Sequence, residues 1–280
     1  MGMIFNYRTR DPRLYQIGML GALLVYGLWV LDFEVEIAFA AIIIATALIT
    51  QYAFTVGVKL PAFDPKSALI SALSLSLLLR TDSMLIAALA AVLAIASKFI
   101  IRFRGKHIFN PTNFALVSLL LGTDQVWVSP GQWGQTASLA FLIACLGLLV
   151  VNRAKRADVT LAFLGFYLAL LFGRAGWLGD PLLIPWHQVQ NGAFLLFCFF
   201  MISDPKTLPD ARRGRVIFAG LAALGAAFVQ FGLYRPNGLL YALAACAPLM
   251  PLLDWFFPAS RYAWEAPSLG QGPMNANVKA

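Results

Sequence analysis

Ten apolar segments, separated by short polar loops, follow one another along this chain of 280 residues. A helix that crosses a bilayer needs about 20 predominantly apolar residues. So many apolar segments with so little polar sequence between them predict an all-α polytopic membrane protein. The segments are 17–30, 37–58, 67–79, 84–101, 109–121, 137–151, 159–172, 187–202, 216–233 and 239–253.

Several of these segments are short for a spanning helix. Segment 67–79 reaches only about 20 Å as a helix, which predicts a half-helix, a re-entrant element or a helix shielded by its neighbours. Pro248 and Pro251 are expected to kink the last segment. Charged residues make up only 12% of the chain, against about 25% in soluble domains, which excludes the soluble and disordered classes.

Basic residues are concentrated in alternate loops. If the N-terminus is cytoplasmic, only Arg80, Arg174 and Arg235 of the 21 Lys and Arg residues fall on the outer side. Membrane proteins retain Lys and Arg on the cytoplasmic side. The distribution therefore predicts that both termini are cytoplasmic. It also accounts for the net charge of +8 without nucleic acid as a partner.

The two halves of the sequence show a weak internal repeat. Leu-Arg-Thr-Asp at 79–82 corresponds to Ile-Ser-Asp at 202–204, and Phe-Asn-Pro-Thr at 109–112 corresponds to Tyr-Arg-Pro-Asn at 234–237. Because each copy has five segments, the second must be inverted in the membrane. The predicted organisation is a cytoplasmic N-terminus (1–14), a first repeat (15–122), an outer linker (123–136), a second repeat (137–257) and a disordered tail (258–280).

Chemistry of a soluble hydrolase is not indicated by the sequence. Phosphate-binding, zinc-protease and nucleophile-elbow motifs are absent, and Cys145, Cys198 and Cys246 stand singly in apolar runs. His107 and His187 fall at opposite membrane faces, so they cannot jointly ligate one haem. No metal site is predicted, and the catalytic residues are unknown.

Polar residues beside helix ends are the candidate site. Asn110 and Pro111 form a cap and first turn whose N–H groups could hold an anionic or carbonyl-rich ligand, although an ordinary cap is an equally open interpretation. Asp204-Pro205 carries the same cap signal. Arg80 and Asp82 lie near the outer boundary, where ionisable residues are often functional.

Short motifs in a fixed order carry a family resemblance. They are DPR at 11–13, YQI at 15–17, FNP at 109–111, SDP at 203–205 with Pro209, GR at 214–215, and PLLD at 251–254. In these motifs the chain resembles the RnfD membrane proteins of Rnf-type electron-transport complexes and the NqrB membrane proteins of sodium-pumping NADH:quinone oxidoreductases. The resemblance implies ten helices in two inverted five-helix repeats, a fold related to urea channels, and flavin-mediated electron transfer across a bacterial inner membrane.

The chain departs from the family in its outer loop. Members with covalent FMN attach it to the Thr of an S/D-G-A-T motif, and no such motif occurs here. Covalent FMN is therefore not expected, and the chain is similar to the shortened, stand-alone UnbU-like relatives.

Three functions stay open at this point. The first is a redox subunit that holds flavin (FMN or riboflavin) or quinone non-covalently and has a redox partner protein or other complex subunits in the bilayer. The second is a channel or transporter for a small solute or ion, and the third is a membrane scaffold. Whether the protein is an enzyme is undecided. The residues expected to meet at the repeat interface and bind the ligand are Asn110, Thr112, Asn113, Asp204, Arg235 and Asn237, with Arg80 and Asp82 as a charged pair at the outer mouth.

Overall fold

Five helices form the first half of the molecule in the computed structural model, which describes residues 11–30, 36–129 and 137–262, with the backbone alone at 137–142 and 145. Three of these helices begin with Pro, which fits the first turn because an N–H there would have no helical partner. The helices are α1 (Pro12–Trp29), α2 (Ile37–Gly57), α3 (Pro65–Leu78), α4 (Met84–Ile100) and α5 (Pro111–Gly122).

The second half has the same number of long elements and one additional short helix. Two of its helices continue as π-helical segments, and its last two are joined by a 3₁₀ turn that contains Pro248, in agreement with the predicted kink. The elements are α6 (Ala137–Arg153), α7 (Ala157–Leu178), α8 (Leu183–Val189), α9 (Gly192–Leu196) with π segment Phe197–Met201, α10 (Arg212–Ala227) with π segment Phe228–Gly232, α11 (Gly238–Cys246), turn Ala247–Leu249 and α12 (Met250–Phe256).

One predicted segment is divided. The sequence predicts a continuous segment 187–202, but His187 belongs to the separate helix α8. The side chain of Asn191 accepts a hydrogen bond from the N–H of Ala193 at 2.8 Å. This cap starts a new helix and ends the continuity.

In the part of the chain that the structure describes, four elements are long and apolar enough to cross a membrane: α2, α7, α10 with its π segment, and α11 to α12. The helices α3, α4, α5 and Gly192–Met201 are apolar but shorter, as the sequence predicts. Large apolar side chains such as Leu85, Leu121 and Trp177 point outward and are at least 74% exposed. The molecule is a polytopic membrane protein.

Small side chains bring the helices close together. Ala47 on α2 and Ala87, Ala90, Ala91 and Ala94 on α4 are fully buried, and α2 packs along α4. Without a hydrophobic driving force inside lipid, helices associate through such close van der Waals contact. In the second half α7 packs along α10, and α10 likewise buries alanines.

The order of packing is the same in both halves. In the first half α3 contacts α1 and α2, α2 contacts α4, and α4 contacts α5. In the second half the α9 element contacts α6 and α7, α7 contacts α10, and α10 contacts α11. The halves meet through α1 with α6 and through α5 with α11, so equivalent helices face each other.

Two short strand pairs supplement the predicted all-α fold. Strand β1 (Leu79–Arg80) continues from α3 and pairs antiparallel with β4 (Trp127–Val128). Strands β2 (Arg102–Phe103) and β3 (Lys106–His107) form a hairpin between α4 and α5. The first pair exists because α3 is short. Backbone that leaves the helix at membrane depth must find its hydrogen bonds elsewhere.

The bundle has two chemically distinct ends. The end where α1, α3, α5, α7 and α10 begin is called the basic end. Ion pairs join its loops: Arg13 with Asp64 at 2.6 Å and Lys106 with Asp254 at 2.8 Å. The opposite end contains β1, β4, α8 and the start of α11.

The predicted domain boundaries stay a prediction. Helix α1 begins inside the predicted N-terminal segment 1–14, and β4 lies inside the predicted linker 123–136. At the start of the predicted tail, the ring of Tyr262 packs on the guanidinium of Arg156, with 4.4 Å between Cζ and the ring centroid. Residues 1–10, 130–136 and 263–280 lie outside the described residues, so disorder of the tail beyond 262 is not addressed.

Candidate functional site

A polar cavity of about 250 Å³ opens at the basic end, between the two halves. The first turns of α1, α3 and α5 line it from the first half. In the second half, the cavity is lined by the end of the π segment Phe197–Met201 and by the loop that follows. Helix N-termini carry a partial positive charge, so three of them around one cavity favour a ligand with acceptor oxygens. Polar residues that line the cavity are Arg13, Gln16, Asp64, Ser67, Ser71, Ser74, Lys98, His107, Asn110, Thr112, Ser203, Asp204 and Lys206.

Asn110 connects the two halves at this cavity. Its Oδ1 accepts the N–H of Asn113 at 3.1 Å, which is the predicted N-cap of α5. Its Nδ2 donates to the carbonyl oxygen of Met201 at 3.4 Å and to Oδ2 of Asp204 at 3.3 Å. The cap interpretation is therefore confirmed, and the same side chain also fixes the position of the second half.

Asp204 lies in a turn and does not cap a helix, contrary to the sequence prediction for Asp204-Pro205. Its Oδ1 accepts the N–H of Lys206 at 3.1 Å, and its carbonyl accepts the N–H of Thr207. Since the chain closes this side-chain turn first, the next helix begins only at Arg212. The preceding π segment widens the helix at the cavity wall, a feature that is frequent at functional sites.

Burial controls the electrostatics of the cavity loops. It raises the pKa of Asp204 against the opposing effect of hydrogen bonds and of the nearby Lys98 and Lys206 charges. Burial also lowers the pKa of Lys206. It lowers the pKa of His107 to about 4, with the charges of Arg102 and Lys98 adding to the shift. The cavity therefore provides a low-dielectric environment in which polar contacts are strong.

The sequence analysis overlooked Lys98. Charge alone places it with the basic loop residues, but its side chain belongs to the last turn of α4 and is only 5% exposed. Its Nζ donates to the carbonyl oxygen and to Oγ of Ser67, both at 3.1 Å. The available signal was its position inside the apolar segment 84–101, since ionisable residues within such segments are functional candidates.

The eight predicted site residues are divided among different places. Asn110, Thr112 and Asp204 line the basic-end cavity. Asn113 lies one turn deeper, is 1% exposed, and has no side-chain hydrogen-bonding partner among the described residues. The expected convergence of Arg235 and Asn237 with these residues at the repeat interface is not found, since both line a different cavity. Arg80 and Asp82, which were predicted as a pair at the outer mouth, line a third cavity.

Arg235 and Asn237 line a separate cavity of about 380 Å³ at the opposite end. There Tyr167 donates to Oε1 of Gln230 at 2.6 Å, and Nε2 of Gln230 donates to Oε1 of Gln188 at 3.4 Å. Asn237 adopts a left-handed conformation with φ of 61° and makes no side-chain cap. The alignment of the repeats predicts that these residues lie with Asn110. The structure instead has the two loops at opposite ends of the bundle, where they line different cavities.

Arg80 and Asp82 line a third cavity, of about 410 Å³, with Glu36 and Trp127. The guanidinium of Arg80 donates to the carbonyl oxygens of Leu79 at 2.8 Å and Ser76 at 3.3 Å. Arg80 therefore satisfies backbone carbonyls at the point where α3 ends.

Among the described residues no group of three or more His, Cys, Asp or Glu is placed to hold a metal ion. Cys198 and Cys246 are buried free thiols, as expected for core residues. The side chain of Cys145 lies outside the described residues. Arg215, interpreted as a topology determinant, is buried in an ion pair with Asp158 at 2.5 Å.

Comparison with known proteins decides the family. A family model described as NQR2, RnfD, RnfE matches residues 113–263, which is more than half of the chain. The chain belongs to the NQR2, RnfD, RnfE family. The match confirms the resemblance seen in the sequence motifs. Its range includes Asp204, Arg235 and Asn237 and begins just after Asn110 and Thr112.

Relatives of this chain are named as the D-type subunit of an ion-translocating oxidoreductase complex. Those from Escherichia coli strain ATCC 8739, Shigella boydii serotype 18 and Shigella sonnei are each 35% identical over 129 residues. The alignment covers 45% of this chain and 36% of each relative. The chain thus matches about a third of the length of these curated relatives.

Proposed function

We propose that the protein is a membrane subunit of a flavin- or quinone-linked electron-transfer system and holds a ring non-covalently in the basic-end cavity. The observation that carries the proposal is that cavity: polar donors from both halves surround it at the ends of three helices. Membership of the family supports the redox assignment. The relatives' name, which describes one component of a larger complex, supports further subunits or a redox protein as partners.

The residues of the cavity fit a carbonyl-bearing ring. Its volume of about 250 Å³ lies just below the range of roughly 300–1,000 Å³ for pockets that enclose drug-sized ligands. It therefore suits a ring system better than a whole nucleotide. Lys98, which has one N–H donor beyond its two contacts with Ser67, would supply a hydrogen bond to a ring oxygen. Asn110 and Thr112 would exchange their present contacts with Asp204 and Ser71 for contacts with the ring. Such a ring, when bound, supplies reversible electron transfer, while the chain orients it and limits the access of water.

The same proposal includes the membrane topology. Ten spans form two inverted five-helix repeats, and the basic end faces the cytoplasm of a bacterial inner membrane. The repeated order of helix packing and the concentration of Lys and Arg at the basic end support this. Asp124 and Arg213 are exposed at opposite ends. Cysteines introduced there singly should react with an impermeant maleimide from opposite sides of the membrane, and reaction from one side would overturn the orientation.

Covalent FMN is not expected, because the attachment motif is absent from the sequence. Intact mass after co-expression with a flavin transferase should equal that of the unmodified chain. A gain of one FMN phosphoester would contradict this part of the proposal.

The ring site is tested by removing Asn110. The Asn110→Ala variant should lose bound flavin, or riboflavin binding measured by fluorescence quenching. Loss of the cap should also lower its free energy of unfolding by roughly 1 kcal/mol. Ser83→Ala is the matched control, since Ser83 caps α4 away from this cavity with a hydrogen bond from the N–H of Ile86. It should lose similar stability and keep the ligand. If wild-type protein binds neither riboflavin nor ubiquinone-1, the proposed function is wrong.

One observation favours the second candidate, a channel for a small solute or ion. Ser67, Ser71 and Ser74 line the basic-end cavity along α3, whereas Ser76 and Arg80, farther along the same chain segment, line a cavity at the opposite end. Polar side chains thus occur along most of α3, with Ser67, Ser71 and Ser74 on one face and Ser76 on the opposite face. A colourless protein that passes solute in liposomes would favour this function over the redox one.

A further inference from the structure

The Lys98 ammonium group is held inside the basic-end cavity by the first half of the molecule. Its side chain is 5% exposed, and both of its hydrogen bonds go to Ser67, at the start of α3. An ammonium has three N–H donors. The contacts with Ser67 therefore leave donor capacity toward the cavity.

The carboxylates that line the same cavity are engaged elsewhere. Asp64 accepts from Nη1 of Arg13 at 2.6 Å, and Asp204 accepts from Asn110 and from the N–H of Lys206. Within the described parts of the chain, no carboxylate oxygen lies within ion-pair distance of Lys98 Nζ. His107 and Lys206 also line the cavity, and neither contributes negative charge.

Burying a charge without a direct counter-charge is costly, and natural proteins retain such groups mainly where they act on something. A neutral side chain could make the hydrogen bonds that join α4 to α3 at a lower desolvation cost. The arrangement instead keeps a protonatable amine in a low-dielectric cavity, where the attraction of its protonated form for added negative charge is strong.

We propose that Lys98 is a binding residue that directs its positive charge at the ring and makes the cavity bind the reduced, electron-rich form more tightly than the oxidised form. This rests on the proposed function, because it concerns the ligand of the same cavity. By linkage, the ratio of the two affinities sets how far the cavity shifts the midpoint potential of the ring.

The experiment uses the full chain in detergent with riboflavin as the probe. Fluorescence quenching gives the affinity for oxidised riboflavin, and a spectroelectrochemical titration gives the midpoint potential of the bound form. Lys98→Gln removes the positive charge, and Lys98→Met is a second neutral variant if the first fails to fold. Lys98→Arg keeps the positive charge. Lys66→Gln is the control, because Lys66 is a cation of the same end that pairs with Asp11 at 2.8 Å.

Lys98→Gln should lower the affinity for reduced riboflavin relative to oxidised by about tenfold or more, the size of a lost hydrogen bond to a charged group. Lys98→Arg should restore most of the preference, and Lys66→Gln should change it by less than about twofold. An unchanged potential in a neutral Lys98 variant that still binds riboflavin overturns this inference and leaves the proposed function standing. Absence of riboflavin binding in the wild type overturns this inference, and absence of both riboflavin and ubiquinone-1 binding overturns the proposed function as well.

Discussion

The basic-end cavity and the cavity that contains Arg235, at opposite ends of the bundle, differ in chemical character. At the basic end, cations and carboxylates from both halves surround the cavity, and ion pairs tie the neighbouring loops together. At the opposite end, the cavity that contains Arg235 is lined by amide side chains and a phenol, and no Asp or Glu is among its described lining residues. The same packing order thus supports two different chemistries.

Equivalent loops illustrate how the difference arises. Pro111 starts α5 directly after the capping residue Asn110. Its counterpart in the repeat, Pro236, is followed by Asn237 in a left-handed conformation, so α11 starts only at Gly238. Because α11 starts later than α5 relative to the aligned Pro, a backbone turn takes the place of the side-chain cap. The order of helix packing is the same in the two halves, whereas these two helix starts differ in their chemistry.

Removal of Lys106 should have the largest effect on stability. Its side chain is 11% exposed and lies 3.0 Å from Asp210, which is 8% exposed, and 2.8 Å from Asp254. Lys106→Gln leaves buried carboxylates without a counter-charge and should cost about 3 kcal/mol in thermal or SDS-induced unfolding.

The ion pair of the opposite end supplies the contrast. Arg174 and Asp180 are 3.5 Å apart and about 40% exposed. Arg174→Gln should therefore cost about 1 kcal/mol or less, even with its contact to the ring of Phe231. Equal losses in the two variants would show that the basic end is no more dependent on ion pairs than the opposite end.

Gly238→Ala tests the helix start at the opposite end. A Cβ at this position would lie 2.8 Å from the carbonyl oxygen of Ala226, which is backbone and cannot move easily. The substitution should cost about 1–3 kcal/mol, the usual range for overpacking. Gly18→Ala in α1 meets nothing within 4 Å and should be close to neutral in the same unfolding assay. A neutral Gly238→Ala variant would mean that α11 can shift its first turn.

The smallest effect is a pH dependence at the basic end. Burial of Asp11 opposes its ionisation, but hydrogen bonds from Arg13 and Lys66 prevail and lower its pKa from 3.8 to about 2. Because the folded pKa lies below the unfolded one, the stabilisation is present above pH about 4 and is lost as the pH falls toward 2. Asp11→Asn should show a smaller acid-induced loss of melting temperature over this range, and a loss identical to that of the wild type would contradict the assignment.

Helices were predictable because their signals are local. Each of the ten apolar segments corresponds to a helix or a pair of joined helices, since apolar runs and Pro-initiated turns act within a few residues. The cap at Asn110 and the break at Pro248 were found for the same reason. The separate helix α8 was missed because the cap signal of Asn191 lies inside an apolar segment.

The site was only partly predictable because its geometry depends on residues far apart in sequence. Asn110 meets Asp204 through the packing of the two halves, and the sequence analysis grouped them because their segments are short or broken. Motif similarity could not separate Arg235 and Asn237 from them, since that requires the direction of each helix. Lys98 was missed because its assignment as a loop cation rested on charge alone, whereas its role depends on burial.

The pairing of β1 with β4 has a consequence for how the chain is assembled in the membrane. Leu79 and Arg80 leave helix α3 and find their strand partners in Val128 and Trp127, while the carbonyl oxygen of Leu78 accepts the N–H of Ser129 at 2.8 Å. During synthesis these partners emerge only after α4 and α5 have been made. The end of the third helix therefore cannot form these strand hydrogen bonds until residue 129 has left the ribosome, after the two later helices have been made.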